Sequence, residues 1–169
     1  MNVIVTAQGS HEALLDWGHG ARRAAVGRSG IGDKLAEGDG MTPIGTFALR
    51  RLFYRADRLP APRTRLPRAA LTPDDGWCDA PVDPRYNMLV ARPYPVSSEE
   101  LWRQDHIYDL IVVIGFNDAP VIRGKGSAIF LHIARPTYSA TAGCVAIKES
   151  DLLELLPLLA PGDTITIKA

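Results

Sequence analysis

The chain has 169 residues, 46% of them apolar and 22% charged, with 19 Lys and Arg set against 19 Asp and Glu. This length suits one domain with its own core, assigned here to residues 1–169, and is short for two. A zero formal net charge without a basic stripe argues against a nucleic-acid partner, because phosphate binding requires a positive field.

The N-terminus opens with "NVIVTA", a β-branched run, and lacks both a Lys/Arg-rich start and an apolar stretch of roughly 7 to 15 residues, so no signal peptide is expected. Further short runs bounded by Gly and Pro follow in order: "RRAAVG", "GTFALRRLFY", "NMLVARP", "DLIVVIGFN", "AIFLHIA" and the terminal "DTITIKA". These are strand signals, and "DTITI" alternates polar with apolar residues as a strand with one wet face does. The expected class is mainly β, with one or two short helices. The longest apolar run, Leu110 to Ile114, is far below the roughly 18 residues of a membrane helix, so the chain is not expected to span a membrane.

Between Arg58 and Tyr86 stand Pro60, Pro62, Pro67, Pro73, Pro81 and Pro84. So many missing backbone donors exclude central sheet, and the stretch reads as a long ordered insertion forming a wall or lid over one face. Within it Trp77, Asp79, Arg85, Tyr86 and Asn87 make a mixed aromatic and polar cluster, from which Arg85 and Tyr86 are taken as candidate substrate contacts. "SSEELWRQD" suggests a turn or two of helix up to Asp105, capped by Ser97 or Ser98. "SDLLELLPLLAPGD" predicts a helix over 151–156, with Ser150 as N-cap and Pro157 as its stop.

The chemistry is concentrated in "FLHIARPTYSATAGCVAI", residues 130 to 147, where His132 and Cys144 lie twelve positions apart. A thiol attacks as thiolate, and a neighbouring imidazole can take its proton. Gly143 permits a sharp turn, from which the Gly143 and Cys144 amides can face a developing oxyanion. A buried Cys and a His at a strand end also suit plain packing, and spacing alone leaves both readings open. Cys78, 66 residues before Cys144, belongs to no metal-ligand spacing. A disulfide between the two would consume the thiol, and Cys78 reads as a packed, idle cysteine. His106 reads as a surface histidine, and His11 and His19 have no partner motif. "GDGMTPIG" lacks the Gly-Lys-Ser/Thr ending of a phosphate loop and reads as a turn before a strand, with Asp39 near the active face.

Taken together, "GDGMTPIGTF", "FLHIA", "TAGCVAI", "ESDLLELL" and "PGDTITI" resemble, in order, the landmarks of the L,D-transpeptidase catalytic domain, the YkuD-type family of peptidoglycan enzymes. The family pattern is a histidine, a gap, Ser/Thr-His-Gly-Cys, a hydrophobic residue, then Arg or Asn. Thr141, Gly143, Cys144 and Val145 match it, and His132 stands where the family's base stands. The chain departs at Ala142 and Ala146, and its His-to-Cys gap is shorter than usual. The resemblance implies the family's β-sandwich or barrel-like catalytic fold. It also implies Cys144 as nucleophile, His132 as base oriented by the Ile133 carbonyl, peptidoglycan stem peptides as substrate, and no metal or organic cofactor. Attack falls on diaminopimelate or, as in a proteobacterial branch resembling "PTYSATAGCVA", on the L-Ala of the donor stem. Arg135 is a candidate to replace the missing Arg at 146 in binding a substrate carboxylate, and Tyr138, Thr141 and Ala142 are candidate substrate contacts. An L,D-carboxypeptidase and an inactive wall-binding module are the alternatives. Carbapenem-type inhibitors are possible ligands, and the expected location is the periplasm or cell envelope.

Overall fold

The computed structural model describes residues 1–169. In chain order the strands are β1 (Asn2–Ala7), β2 (Glu12–Asp16), β3 (Arg22–Ala25), β4 (Ile31–Gly32), β5 (Thr42–Pro43), β6 (Gly45–Tyr54), β7 (Arg68–Ala70), β8 (Asp75–Cys78), β9 (Leu89–Ala91), β10 (Ser98–Glu100), β11 (Leu110–Ile114), β12 (Phe130–Ile133), β13 (Val145–Ile147) and β14 (Thr164–Lys168). A helix, α1 (Glu149–Leu155), runs into a 3₁₀ turn at Leu156–Leu158. The fold is mainly β, as the strand pattern predicts.

Nine strands form the main sheet in the order β11-β12-β13-β3-β2-β1-β14-β6-β7, and a further pairing of β11 with β6 closes the first eight into a barrel. The ten-residue β6 makes closure possible. Its first half pairs with β14, while Leu52 to Tyr54 pair with β11 along one edge and β7 along the other. Closure removes the edge that an open sheet would expose. Val3 and Val5 on β1 and Ile165 and Ile167 on β14 alternate inward to a common core, joined by Leu152 and Leu155 of α1.

All five residues of β11 are buried because both of its faces are covered. Leu110, Val112 and Ile114 point into the barrel with Leu131 and Ile133 of β12. Ile111, Val113 and Phe130 face the other way, beneath a flap that contributes Trp77 and Leu101. The flap is a three-stranded sheet in the order β10-β8-β9. Trp77 meets Phe130 edge to face, with ring centroids 5.2 Å apart.

Three expectations need correction. "SSEELWRQD" contains no helix: Ser98, Glu99 and Glu100 pair antiparallel with Cys78, Trp77 and Gly76, and that pairing overrides local helix preference. The Pro-rich insertion does supply a central strand, β8, because no proline falls between Pro73 and Pro81 and its backbone donors are intact. The α-helix starts at Glu149, two residues before the predicted 151. Its N-cap is Lys148 rather than Ser150, without a side-chain cap bond, and Pro157 is accommodated in the 3₁₀ turn.

Asn87 ties the flap to the barrel. Its buried side chain, on a residue with φ of 60°, accepts from Trp77 Nε1 at 2.9 Å and from the Ala128 N–H at 3.1 Å. It also donates to the Phe116 and Asn117 carbonyls at 3.0 and 2.9 Å. Asn87→Ala strands all four partners in a dry interior, and the expected loss is about 2–4 kcal/mol of unfolding free energy, read by urea denaturation. A loss below about 0.5 kcal/mol, the size of an ordinary surface change, removes this tie from the description of the fold.

Candidate active site

Strands β12 and β13 run parallel, with Leu131 opposite Val145 and His132 opposite Ala146. Cys144 immediately precedes β13, so alternation puts it with Ala146 on the face that carries Phe130 and His132. That is the outer face, covered by the flap, and both functional side chains open into one cleft of about 420 Å³. Each is nearly enclosed: His132 is 5% exposed and Cys144 6%.

The turn before Cys144 is organised by Thr141. Its hydroxyl donates to the Cys144 carbonyl at 2.7 Å and accepts the Gly143 N–H at 3.1 Å. Its backbone is locked to the loop after β3 by bonds with Val26 and Arg28. Gly143 has φ of 139°, and a Cβ there would lie 2.9 Å from the Met41 carbonyl oxygen, so only glycine fits. With its N–H engaged by Thr141, Gly143 is not free to face an oxyanion in this arrangement, contrary to the expectation of a Gly143 and Cys144 amide pair. The Cys144 N–H is the donor that remains.

The imidazole orientation is fixed. His132 Nδ1 lies 2.9 Å from the Ile133 carbonyl, which can only accept, so Nδ1 carries the proton and Nε2 is the bare nitrogen. Tyr108 packs edge to face on the ring at 5.1 Å, and its hydroxyl donates to Glu99. The thiol donates to the Ala128 carbonyl at 3.2 Å, and the Phe130 N–H approaches the sulfur at 3.4 Å. Burial drives His132 down to about 4, against the Ile133 carbonyl, which favours a charged ring. Burial, with the Glu99 carboxylate, pushes the Cys144 thiol up to about 12. The resting pair is therefore neutral thiol and neutral imidazole, since in a dry site both ions are costly.

Arg135, Thr141 and Ala142 line the same cleft, as do Asp79 and Ala146. Arg135 reaches Asp105 at 3.2 Å, and Arg103 grips the same carboxylate at 2.7 Å. First the Arg103 hydrogen bond and then the two guanidinium charges hold Asp105 down at about 2. Two cations share one anion there, a local positive excess.

The remaining candidates lie elsewhere. Tyr138, at φ of 53°, stands in a neighbouring depression with the Arg23 guanidinium 4.4 Å from its ring centroid. Arg85 is exposed and donates to the Leu89 carbonyl, while the fully buried Tyr86 does not line the cleft and meets it through its hydroxyl bond to Glu37. Asp39 pairs with Lys34 at 2.6 Å and accepts three backbone N–H groups, anchoring the loop whose Lys34 lines the cleft. Cys78 and Cys144 are both free, and Cys78 is fully buried in a small cluster with Ala80 and Val90. The exposed His106 pairs with Asp109, and neither His11 nor His19 lines the cleft. Sequence reasoning missed Lys34, Glu37, Glu99, Arg103, Tyr108 and Ser127, all cleft-lining. Only "WRQDHIYDL", with charged and aromatic residues crowded before an apolar strand, carried a signal.

The chain belongs to the L,D-transpeptidase catalytic domain family, YkuD, whose sequence pattern matches residues 3–167. Among solved structures it is similar to L,D-transpeptidase 1 of Mycobacterium tuberculosis, at 14% identity and a TM-score of 0.42, over 99% of this chain and 62% of that one. It is also similar to an L,D-transpeptidase from Mycobacterium smegmatis, at 14% identity and a TM-score of 0.44, over 99% of this chain and 58% of that one. The chain thus spans less than two thirds of either. No curated protein matches. No helix is long and apolar enough to cross a membrane.

The buried neutral imidazole has a consequence for stability. Between about 6.5 and about 4 the unfolded chain binds a proton at His132 that the folded chain does not, so this contribution is full above 6.5 and is lost as pH falls through about 4. Its size is on the order of 3 kcal/mol. Urea denaturation against pH, wild type compared with His132→Gln, is expected to show the wild type losing this increment across that window and the variant lacking it. Parallel profiles contradict a buried neutral His132.

Proposed function

We propose that the chain is a cysteine acyltransferase that cuts and rejoins peptidoglycan stem peptides in the cell envelope, on the periplasmic side, as one catalytic unit. The observation that carries this reading is the placement of His132 and Cys144 on one cleft face, with Nδ1 committed to the Ile133 carbonyl and Nε2 left to accept a proton. Rotation about the Cys144 Cα–Cβ bond moves the thiol proton from the Ala128 carbonyl to Nε2. The thiolate attacks the carbonyl carbon of the donor residue, and the oxyanion accepts the Cys144 N–H. Collapse breaks the C–N bond, the imidazolium protonates the leaving amine, and a thioester remains. An acceptor amine then attacks, forming an amide and returning the sulfur as thiol. Sulfur supplies the nucleophile and imidazole the proton transfer, so the cycle balances without a cofactor.

The donor carbonyl is that of diaminopimelate or, in the variant linkage, of L-Ala. Arg103 and Arg135, sharing Asp105, hold the donor's carboxylate in place of the Arg or Asn that Ala146 replaces. The small Ala146, directly across from His132, leaves room for that group beside the imidazole.

Incubation with purified stem-peptide monomers, followed by mass spectrometry of protein and products, tests the reading. Wild type is expected to gain a thioester mass at Cys144 and to yield cross-linked dimers. Cys144→Ala is expected to lose both, and His132→Ala to slow acylation by about 10²–10⁴-fold. Shortened monomers without dimers make the protein an L,D-carboxypeptidase. No adduct with any stem peptide or with a carbapenem makes it a binding module, and undiminished product from Cys144→Ala contradicts the mechanism.

A further inference from the structure

The charges lining the cleft are not evenly matched. Its cations are all ion-paired: Lys34 with Asp39, and Arg103 and Arg135 with the single carboxylate of Asp105. Its anions are not. Glu37, Asp79 and Glu99 line the cleft and enter no ion pair, and Glu37 and Glu99 receive only the neutral hydroxyls of Tyr86 and Tyr108. Asp79 keeps one carboxylate oxygen buried without any hydrogen-bond partner, and so does Ser127 its hydroxyl. Ser127 is 6% exposed and lines the same cleft. A half-buried site holding three unpaired carboxylates and two orphaned polar atoms is costly in an empty state, and native proteins keep such groups for a ligand that satisfies them.

The missing complement is a compact cation rich in donors. A primary ammonium has one charge and three N–H groups, enough for carboxylates and a hydroxyl together. These groups come from separate elements: Glu99 from β10, Asp79 from the residue after β8, Glu37 from the loop between β4 and β5, and the Ser127 hydroxyl from the segment before β12. The flap therefore contributes directly to the site. Glu99 is also linked to the base, because the Tyr108 ring whose hydroxyl it accepts packs on His132.

Resting on the acyl-transfer reading above, we propose that these acidic cleft residues bind the ammonium group of the amine acceptor, with Glu99 and Asp79 as its anionic partners and Ser127 as a hydrogen-bond acceptor. A carboxylate that holds the ammonium also takes one of its protons, freeing the nitrogen lone pair for the thioester carbonyl. The second proton, released as the amide forms and the C–S bond breaks, goes to the Cys144 sulfur. Burial raises the Glu99 carboxyl above its ordinary range, which suits a group that accepts a proton during the cycle.

The test reads equilibrium binding without acyl chemistry, so it stands apart from any failure to form a thioester. The full chain is titrated by NMR with meso-diaminopimelate and with its N-acetylated derivative, which keeps the carboxylates and loses the ammonium charge. With both amino groups of the derivative acetylated, the free diamine is expected to bind at least about tenfold more tightly. In the Asp79→Asn, Glu99→Gln double variant that preference is expected to fall to within about twofold. Asp79→Asn alone, which leaves the Tyr108 bond intact, reduces it partway and guards against loss of fold in the double variant. Equal affinity of the two probes for wild type, no binding of either up to about 10 mM, or a preference that survives both substitutions overturns the proposal.

Discussion

The parallel pairing of β12 with β13 is the constraint on which the site depends. In a parallel pair the residues of one face are set by register alone, so His132 and Cys144, twelve positions apart in sequence, share a wall once Leu131 lies beside Val145. A slip of one residue turns Cys144 into the barrel core among Leu131 and Ile133. The register is held from several directions. Thr141 ties the turn to the loop after β3, Gly143 admits the Met41 carbonyl, and β11 closes the barrel on the far side of β12.

Dryness follows from the covered face. Trp77, Leu101 and Phe130 exclude water from one side of the Cys144 face, and Asn87 clamps the flap that brings two of them. In so apolar a setting neither thiolate nor imidazolium is favoured, and the neutral pair is the resting state. The cleft meets this with charges of both signs along its wall: two guanidiniums about one carboxylate, and carboxylates outside any ion pair. On the proposed reading, such a cleft suits a substrate whose amino-acid groups carry both charges.

Much of this was legible in the sequence, and the limits have physical causes. The uninterrupted "LIVVI" marked a strand, and β1, β6 and β14 were readable because a single covered face imposes alternation or β-branched runs. "TAGC" showed the glycine turn, since no other residue tolerates that backbone. The flap was hidden, because β8 and β10 are three or four residues long and exist through their pairing rather than their propensity. Glu99 was read as part of a helix for the same reason. Tyr108, Ser127 and Glu37 come from segments far apart in sequence, and no local pattern marks residues that meet only in the folded cleft. The role of Thr141 in occupying the Gly143 N–H was equally invisible, because it depends on side-chain rotation within the turn.

The protonation state of Cys144 decides most directly whether the cleft is a dry neutral site. Its alkylation by iodoacetamide, followed residue by residue against pH so that Cys78 is separated, should be slower at pH 7 than that of a free cysteine and should climb only as pH rises beyond about 9. Fast alkylation that stays level down to pH 5 would reveal a thiolate held against a charged His132 and would overturn the neutral pair.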